Sequence, residues 1–157
     1  VGCTLKHFPG YSGSSDTHTG AAYDDRSLDE LMERDLLPFR VGIEAGADAV
    51  MVSHNIVECL DPDNPASLSP AVHELLRGEL DFDGIVMTDD ISMGAVADLY
   101  DEAEAAVLAI LSGNDIVCCS DTPAVYNGLY DAVMDGRLTE ERIDESVTRI
   151  IYCKLKL

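Results

Sequence analysis

Basic residues are scarce in this chain. Lys and Arg number 10 against 30 Asp and Glu, giving a formal net charge of -20. Such a surface repels phosphate backbones and anionic lipids, which excludes nucleic acid as a partner and argues against membrane contact by this chain. No apolar run is long enough to span a bilayer, and no signal-peptide pattern is present. The five cysteines, at positions 3, 59, 118, 119 and 153, are odd in number and irregular in spacing, which argues against a disulfide framework. No C-x-x-C pair occurs, so neither a zinc site nor a redox motif is expected. Cys118 and Cys119 lie in an apolar run, where free cysteine behaves as a small hydrophobe. The chain opens on Val1 directly before a motif, so a piece of a longer polypeptide is expected. Nothing in the sequence assigns a compartment.

What is present suits one domain: 157 residues, of which 46% are hydrophobic. Three short runs, 49–52, 84–87 and 115–119, are continuously apolar and rich in β-branched residues, as strands buried on both faces require. A fourth, 3–5, leads into Lys6-His7. Helix signals lie between them. Ser27 and Glu30 form a capping box, and Pro38 is expected to divide the following segment into two helices, the second ending near Gly46. Ser69-Pro70 opens a helix to about Leu76; Asp101 with Glu104 opens one closed by Gly113; Thr122-Pro123 opens one closed near Gly136; Thr139 starts the last, to about Lys154. The alternation predicts an α/β fold with a parallel sheet, either doubly wound or a (βα)4 half of a TIM-type (β/α)8 barrel, over the whole of 1–157. Residues 10–20 read as a loop.

Chemistry belongs at the C-terminal ends of such strands. Those ends carry Lys6-His7, Ser53-His54, Asp89-Asp90 and Asp121, which would converge on one face. Asp89 and Asp90 are adjacent on an extended strand, so only one of them can face the mouth. Asp16-Thr17-His18 sets a carboxylate two residues before an imidazole, close enough on a loop to orient the ring and favour its protonated form. His73 is expected on a helix surface, Asp61-Pro62-Asp63-Asn64 as a turn, Met32, Met51, Met87 and Met134 in the core, and 98–104 as the solvated start of a helix.

Lys6-His7-Phe8-Pro9-Gly10 with Asp16-Thr17-His18, followed by Thr88-Asp89-Asp90-Ile91-Ser92-Met93, closely resembles the signature of the β-N-acetylglucosaminidases of glycoside hydrolase family 3. The resemblance runs through Val50–His54, Gly113–Val117 and the final helix, covering essentially the whole chain. It implies strands five to eight of a (β/α)8 barrel: a single domain, 1–157, forming the C-terminal half of the catalytic barrel. It implies retaining hydrolysis with Asp89 as nucleophile, His18 as acid/base and Asp16 as the group that holds His18. Lys6, His7, His54 and Met93 would line the sugar site, Asp90 would support the strand end, and no metal or organic cofactor is called for. The carbohydrate is the implied partner. A β-glucosidase of the same family and a non-catalytic half-barrel are the alternatives; the Asp16–His18 pair argues against the first. Tyr11 stands where the family more often has His, and the segment before Asp16 is one residue shorter than the commonest form. Other family members also bind the sugar through an Asp and an Arg of the first half-barrel, so this chain alone is expected to have little or no activity. A half-barrel has open strand edges, and two copies are expected to associate.

Overall fold

The computed structural model describes residues 1–11 and 16–156. Its strands are β1 (Thr4–Phe8), β2 (Tyr23–Asp24), β3 (Ala49–Val52), β4 (Ile56–Val57), β5 (Ile85–Asp90) and β6 (Ile116–Cys118). β1, β3, β5 and β6 form one sheet in that order, every pairing parallel, with Val52 opposite Thr88 and Met87 opposite Ile116. The short pair β2–β4 stands beside it. Helices fill the crossovers: α1 (Leu28–Glu30) and α2 (Leu36–Glu44), α3 (Pro70–Glu74), α4 (Gly94–Ala97) and α5 (Glu102–Ser112). After β6 come α6 (Thr122–Met134) and α7 (Glu140–Lys156). This is the predicted parallel (βα)4 arrangement, with half the strand number of a (β/α)8 barrel.

Alternation along each strand divides the side chains between two faces. Val50, Val52 and Val86 pack with Leu31, Leu36, Phe39, Val72 and Leu76 from the helices, and Phe8 meets Phe39 edge-on at 5.1 Å. Each such side chain contributes roughly 1.5–3 kcal/mol by burial. A second cluster, around Ile91, Val96 and Ala106, joins α4 and α5 to Val125 of α6. Met51 and Met87, register partners that alternate with these valines, are half-buried, as is Met32. Met134 departs from expectation: it is exposed near the end of α6, four residues from Tyr130, in a stripe with Tyr126.

The capping box forms as read: Glu30 N–H donates to Ser27 Oγ at 3.3 Å, and Ser27 N–H to Glu30 Oε2 at 2.9 Å. Pro38 does not divide the helix. The chain stays helical from Leu28 to Glu44, widening into a π-type turn over Leu31–Asp35. The N–H that Pro38 lacks would have bonded the carbonyl four residues back, at Arg34, inside that turn, so the proline is absorbed there. The Ser69-Pro70 helix likewise runs past Leu76 through a second wide turn, Leu75–Glu79. Gly113 closes α5 at φ 125°, and Thr139 accepts from Arg142 N–H at the start of α7. The N-cap of α6 is Asp121, whose Oδ1 accepts from Ala124 N–H at 3.0 Å; that strand-end carboxylate serves the helix.

His73 corrects another expectation. It is buried, with Nδ1–H donating to the Ser69 carbonyl at 2.8 Å, because the helix presses it against Gly113. A Cβ at Gly113 would lie 3.0 Å from that ring. The stretch 61–64 is a turn, with Asp61 Oδ1 accepting from the N–H groups of Asp63 and Asn64. The five cysteines are free. At the foot of the sheet the fully buried Asp115 takes Val86 N–H at 3.0 Å and Arg77 at 2.8 Å on Oδ2. Its Oδ1 takes Ser146 Oγ at 2.8 Å and Arg149 at 3.1 Å. These bonds pin α7 beneath the sheet.

Candidate active site

The C-terminal end of β5 presents the two adjacent aspartates in different directions. Asp89 Oδ1 accepts the N–H of Asp90 at 2.9 Å, while its Oδ2 lies 3.6 Å from His7 Nε2. Asp90 turns its carboxylate into the following loop, accepting Ser92 N–H at 2.9 Å. Burial lowers the His7 pKa; the charge of Asp89 opposes this and the charge of Lys6 adds to it. Lys6 itself is exposed. β1 is tied to β3 at this end by Ser53, which donates from N–H and Oγ to the Phe8 carbonyl, both at 2.9 Å. Asn55 Nδ2 reaches the Gly10 carbonyl at 3.4 Å. Gly10, at φ 141°, abuts Asp35 so closely that a Cβ would meet its side chain at 2.7 Å.

His54 is buried, and both ring nitrogens are engaged by the protein. Nε2–H donates to the Asp90 carbonyl at 3.0 Å, and Nδ1 accepts from Ser67 Oγ at 2.7 Å. Burial lowers its pKa against the pull of the neighbouring acceptors and aspartates, which keeps the ring neutral. The ring holds the β5 end in place through main-chain contact. The signal for this was available only in three dimensions, since Ser67 is 13 residues away in sequence.

Asp16 and His18 pair as the spacing suggested. His18 N–H and Nδ1–H both donate to Asp16 Oδ1, at 3.0 and 2.7 Å. These bonds lower the Asp16 pKa, the backbone bond most. They leave Nε2 as the nitrogen not taken by Asp16, on a side chain that is 72% exposed. Thr17 between them is buried, donating from N–H to the Tyr11 hydroxyl oxygen at 2.8 Å and sharing a 2.8 Å bond between hydroxyls. The carbonyls of Thr17 and His18 accept from Ala95 and Gly94 N–H at 3.1 and 3.3 Å. Met93, half-buried, caps α4, and its N–H donates to the Asp90 carbonyl at 3.0 Å. Part of the expected loop, residues 12–15, lies outside the described residues, and so does the shortening before Asp16.

The structure thus brings His7 to Asp89, His18 to Asp16, and His54 to the main chain of the β5 end. It sets the His18 turn on the same β5–α4 segment that carries Asp89. Tyr11, Ser67 and Gly94 are contributors that sequence reasoning did not assign to the site. Among the described residues no group of three or more His, Cys, Asp or Glu side chains is arranged to hold a metal ion.

Residues 1–153 match the model of the glycosyl hydrolase family 3 N-terminal domain. The chain belongs to this family. It is 52% identical over 97 residues to a β-hexosaminidase of Stenotrophomonas maltophilia, covering 60% of this chain and 29% of that protein. To β-hexosaminidase LpqI of Mycobacterium tuberculosis it is 39% identical over 160 residues, covering 96% of this chain and 41% of that one. The structure of a family 3 β-N-acetylglucosaminidase from a Paenibacillus species superposes with a TM-score of 0.95 at 39% identity, over 99% of this chain and 31% of that chain. The family 3 chain therefore spans less than half the length of each of these relatives.

Proposed function

We propose that this chain supplies the bond-cleaving half of a retaining hydrolase of β-linked N-acetylglucosamine, in carbohydrate or cell-wall fragments. We propose further that it is the second half of a (β/α)8 barrel. The observation that carries the reading is the pair of units served by one strand end: the Asp89 carboxylate near the tip of β5, and the Asp16–His18 couple docked on the turn that follows it. The relatives' names, β-hexosaminidase and β-N-acetylglucosaminidase, support the substrate class.

In this mechanism Asp89 Oδ2 attacks the anomeric carbon as the bond from that carbon to the leaving oxygen breaks. His18, held through Nδ1 by Asp16, gives its Nε2 proton to the leaving oxygen. The imidazole then takes a proton from water, whose oxygen displaces Asp89 and restores the carboxylate. A carboxylate pair is the common arrangement for such chemistry; here the Asp16–His18 couple takes the part of the second carboxylate. Lys6, His7 and Met93 contribute to the sugar site.

A second reading, a half-barrel that folds without turning over substrate until it is covered, draws on two exposed apolar stripes. Leu37 and Val41 lie on α2, beside edge strand β1, and Tyr126, Tyr130 and Met134 lie on α6, after edge strand β6. The test is release from an aryl N-acetyl-β-glucosaminide, by the chain alone and by the full-length polypeptide that carries it, each with Asp89→Asn as control. We expect little or no release from the chain alone. Release by the longer form that vanishes in Asp89→Asn supports the reading. Release that survives the substitution, or a preference for the aryl β-glucoside, overturns it.

A further inference from the structure

Two contacts outside the Asp16–His18 couple fix where that couple sits. On one side the Tyr11 phenol oxygen accepts Thr17 N–H and bonds the Thr17 hydroxyl, each at 2.8 Å, with the Thr17 side chain buried. On the other side the first two amides of α4, Gly94 and Ala95, donate to the carbonyls of His18 and Thr17. That approach is tight for any residue larger than glycine. A Cβ at residue 94 would lie 3.0 Å from His18 O, 3.0 Å from Gly20 N and 3.1 Å from Thr19 C. All three are backbone atoms, with no flexible side chain to swing aside.

We propose that Tyr11 and Gly94 are positioning residues for His18, a two-sided clamp that seats the Asp16–His18 turn on the segment following Asp89. The inference rests on the reading of His18 as acid/base. Thr17 is the element the clamp grips: its N–H and hydroxyl go to Tyr11, and its carbonyl goes to Ala95. The His18 turn is thereby held by the Tyr11 phenol on one side and by the α4 amides on the other, and its ring stays largely solvent-exposed.

The test has two arms. Amide hydrogen exchange, read by NMR on the chain itself, follows residues 17, 94 and 95. In Tyr11→Phe the Thr17 amide loses its acceptor, and its exchange rises roughly two- to tenfold, the range a lost hydrogen bond of ordinary net strength gives. In Gly94→Ala the amides of residues 94 and 95 speed up likewise. Amides of Val50 and Val52 in β3, which report general loosening, stay as in the parent. Unchanged exchange at residues 17, 94 and 95 overturns the clamp.

The second arm measures kcat/KM of the full-length polypeptide on a leaving group that needs protonation and on a dinitrophenyl leaving group that does not. A displaced general acid slows the first by roughly tenfold or more and the second by less than about twofold. Equal losses on both overturn the positioning role and leave a structural one. If exchange responds while His18→Ala leaves the leaving-group ratio untouched, the clamp stands and the acid/base reading of His18 falls.

Discussion

The imidazole of His54 donates to the main-chain carbonyl of Asp90 at 3.0 Å while accepting from Ser67 Oγ at 2.7 Å. A buried ring with both nitrogens committed is a brace between the end of β3 and the residue next to Asp89. Ser67→Ala leaves the buried Nδ1 without a partner and should cost about 1–3 kcal/mol in urea unfolding. A loss below about 0.5 kcal/mol, the ordinary scatter of surface substitutions, would show that the brace carries no weight.

His54 and His73 are both buried, and burial lowers the pKa of each. Their folded forms are therefore neutral, whereas the unfolded chain takes up protons near the ordinary value of 6.5. Stability from these groups is whole above that value and drains as pH falls from it toward their lowered folded values. The slope is at most about 1.4 kcal/mol per pH unit for each histidine. Urea midpoints taken from about pH 7.5 down to about pH 5 should fall, and His73→Gln should flatten the descent. A midpoint that holds level through this window contradicts the burial of both rings.

Asp115 faces Arg77 at 2.8 Å, Arg149 at 3.1 Å and Arg142 at 3.8 Å, with its own side chain fully buried; Glu145 also lies 3.9 Å from Arg142. Removing it strands partly buried cations and the amide of Val86. Asp115→Ala should cost about 3–5 kcal/mol and loosen α7 first. Chemical denaturation gives the magnitude, and limited proteolysis after residue 139 gives the order of events.

The apolar stripes on α2 and α6 predict self-association of the isolated chain. Sedimentation at micromolar concentration should give a dimer, and Tyr130→Glu should shift it toward monomer by placing a charge in the stripe. A monodisperse monomer in the parent chain argues that these faces stay uncovered in solution.

Much of this fold is legible in the sequence because parallel strands announce themselves as unbroken apolar runs. Val50, Val52 and Val86 occupy the core those runs foretold, and the caps at Ser27, Ser69 and Asp101 fall where their side chains demand. The errors have local physical causes. Pro38 is absorbed by a widened turn, and His73 reads as surface because nothing in a linear pattern shows Gly113 beneath its ring. The two-residue strands Tyr23–Asp24 and Ile56–Val57 and the single turn of α4 are too short to carry a period. In the site, Asp16 and His18 are neighbours in sequence and so were readable as a pair. The bonds from Tyr11 to Thr17 and from Ser67 to His54 depend on loops meeting in space, and spacing alone does not disclose them.

Asp89 is the penultimate residue of β5, and five residues later Gly94 opens the short helix on which the His18 turn rests. One stretch of seven residues, 89–95, is thus both the seat of the proposed nucleophile and the floor beneath the proposed acid/base. Any tilt or slide of that stretch carries both together, so their spacing is set by one ruler. Lengthening this one turn by a single residue would therefore detune the pair.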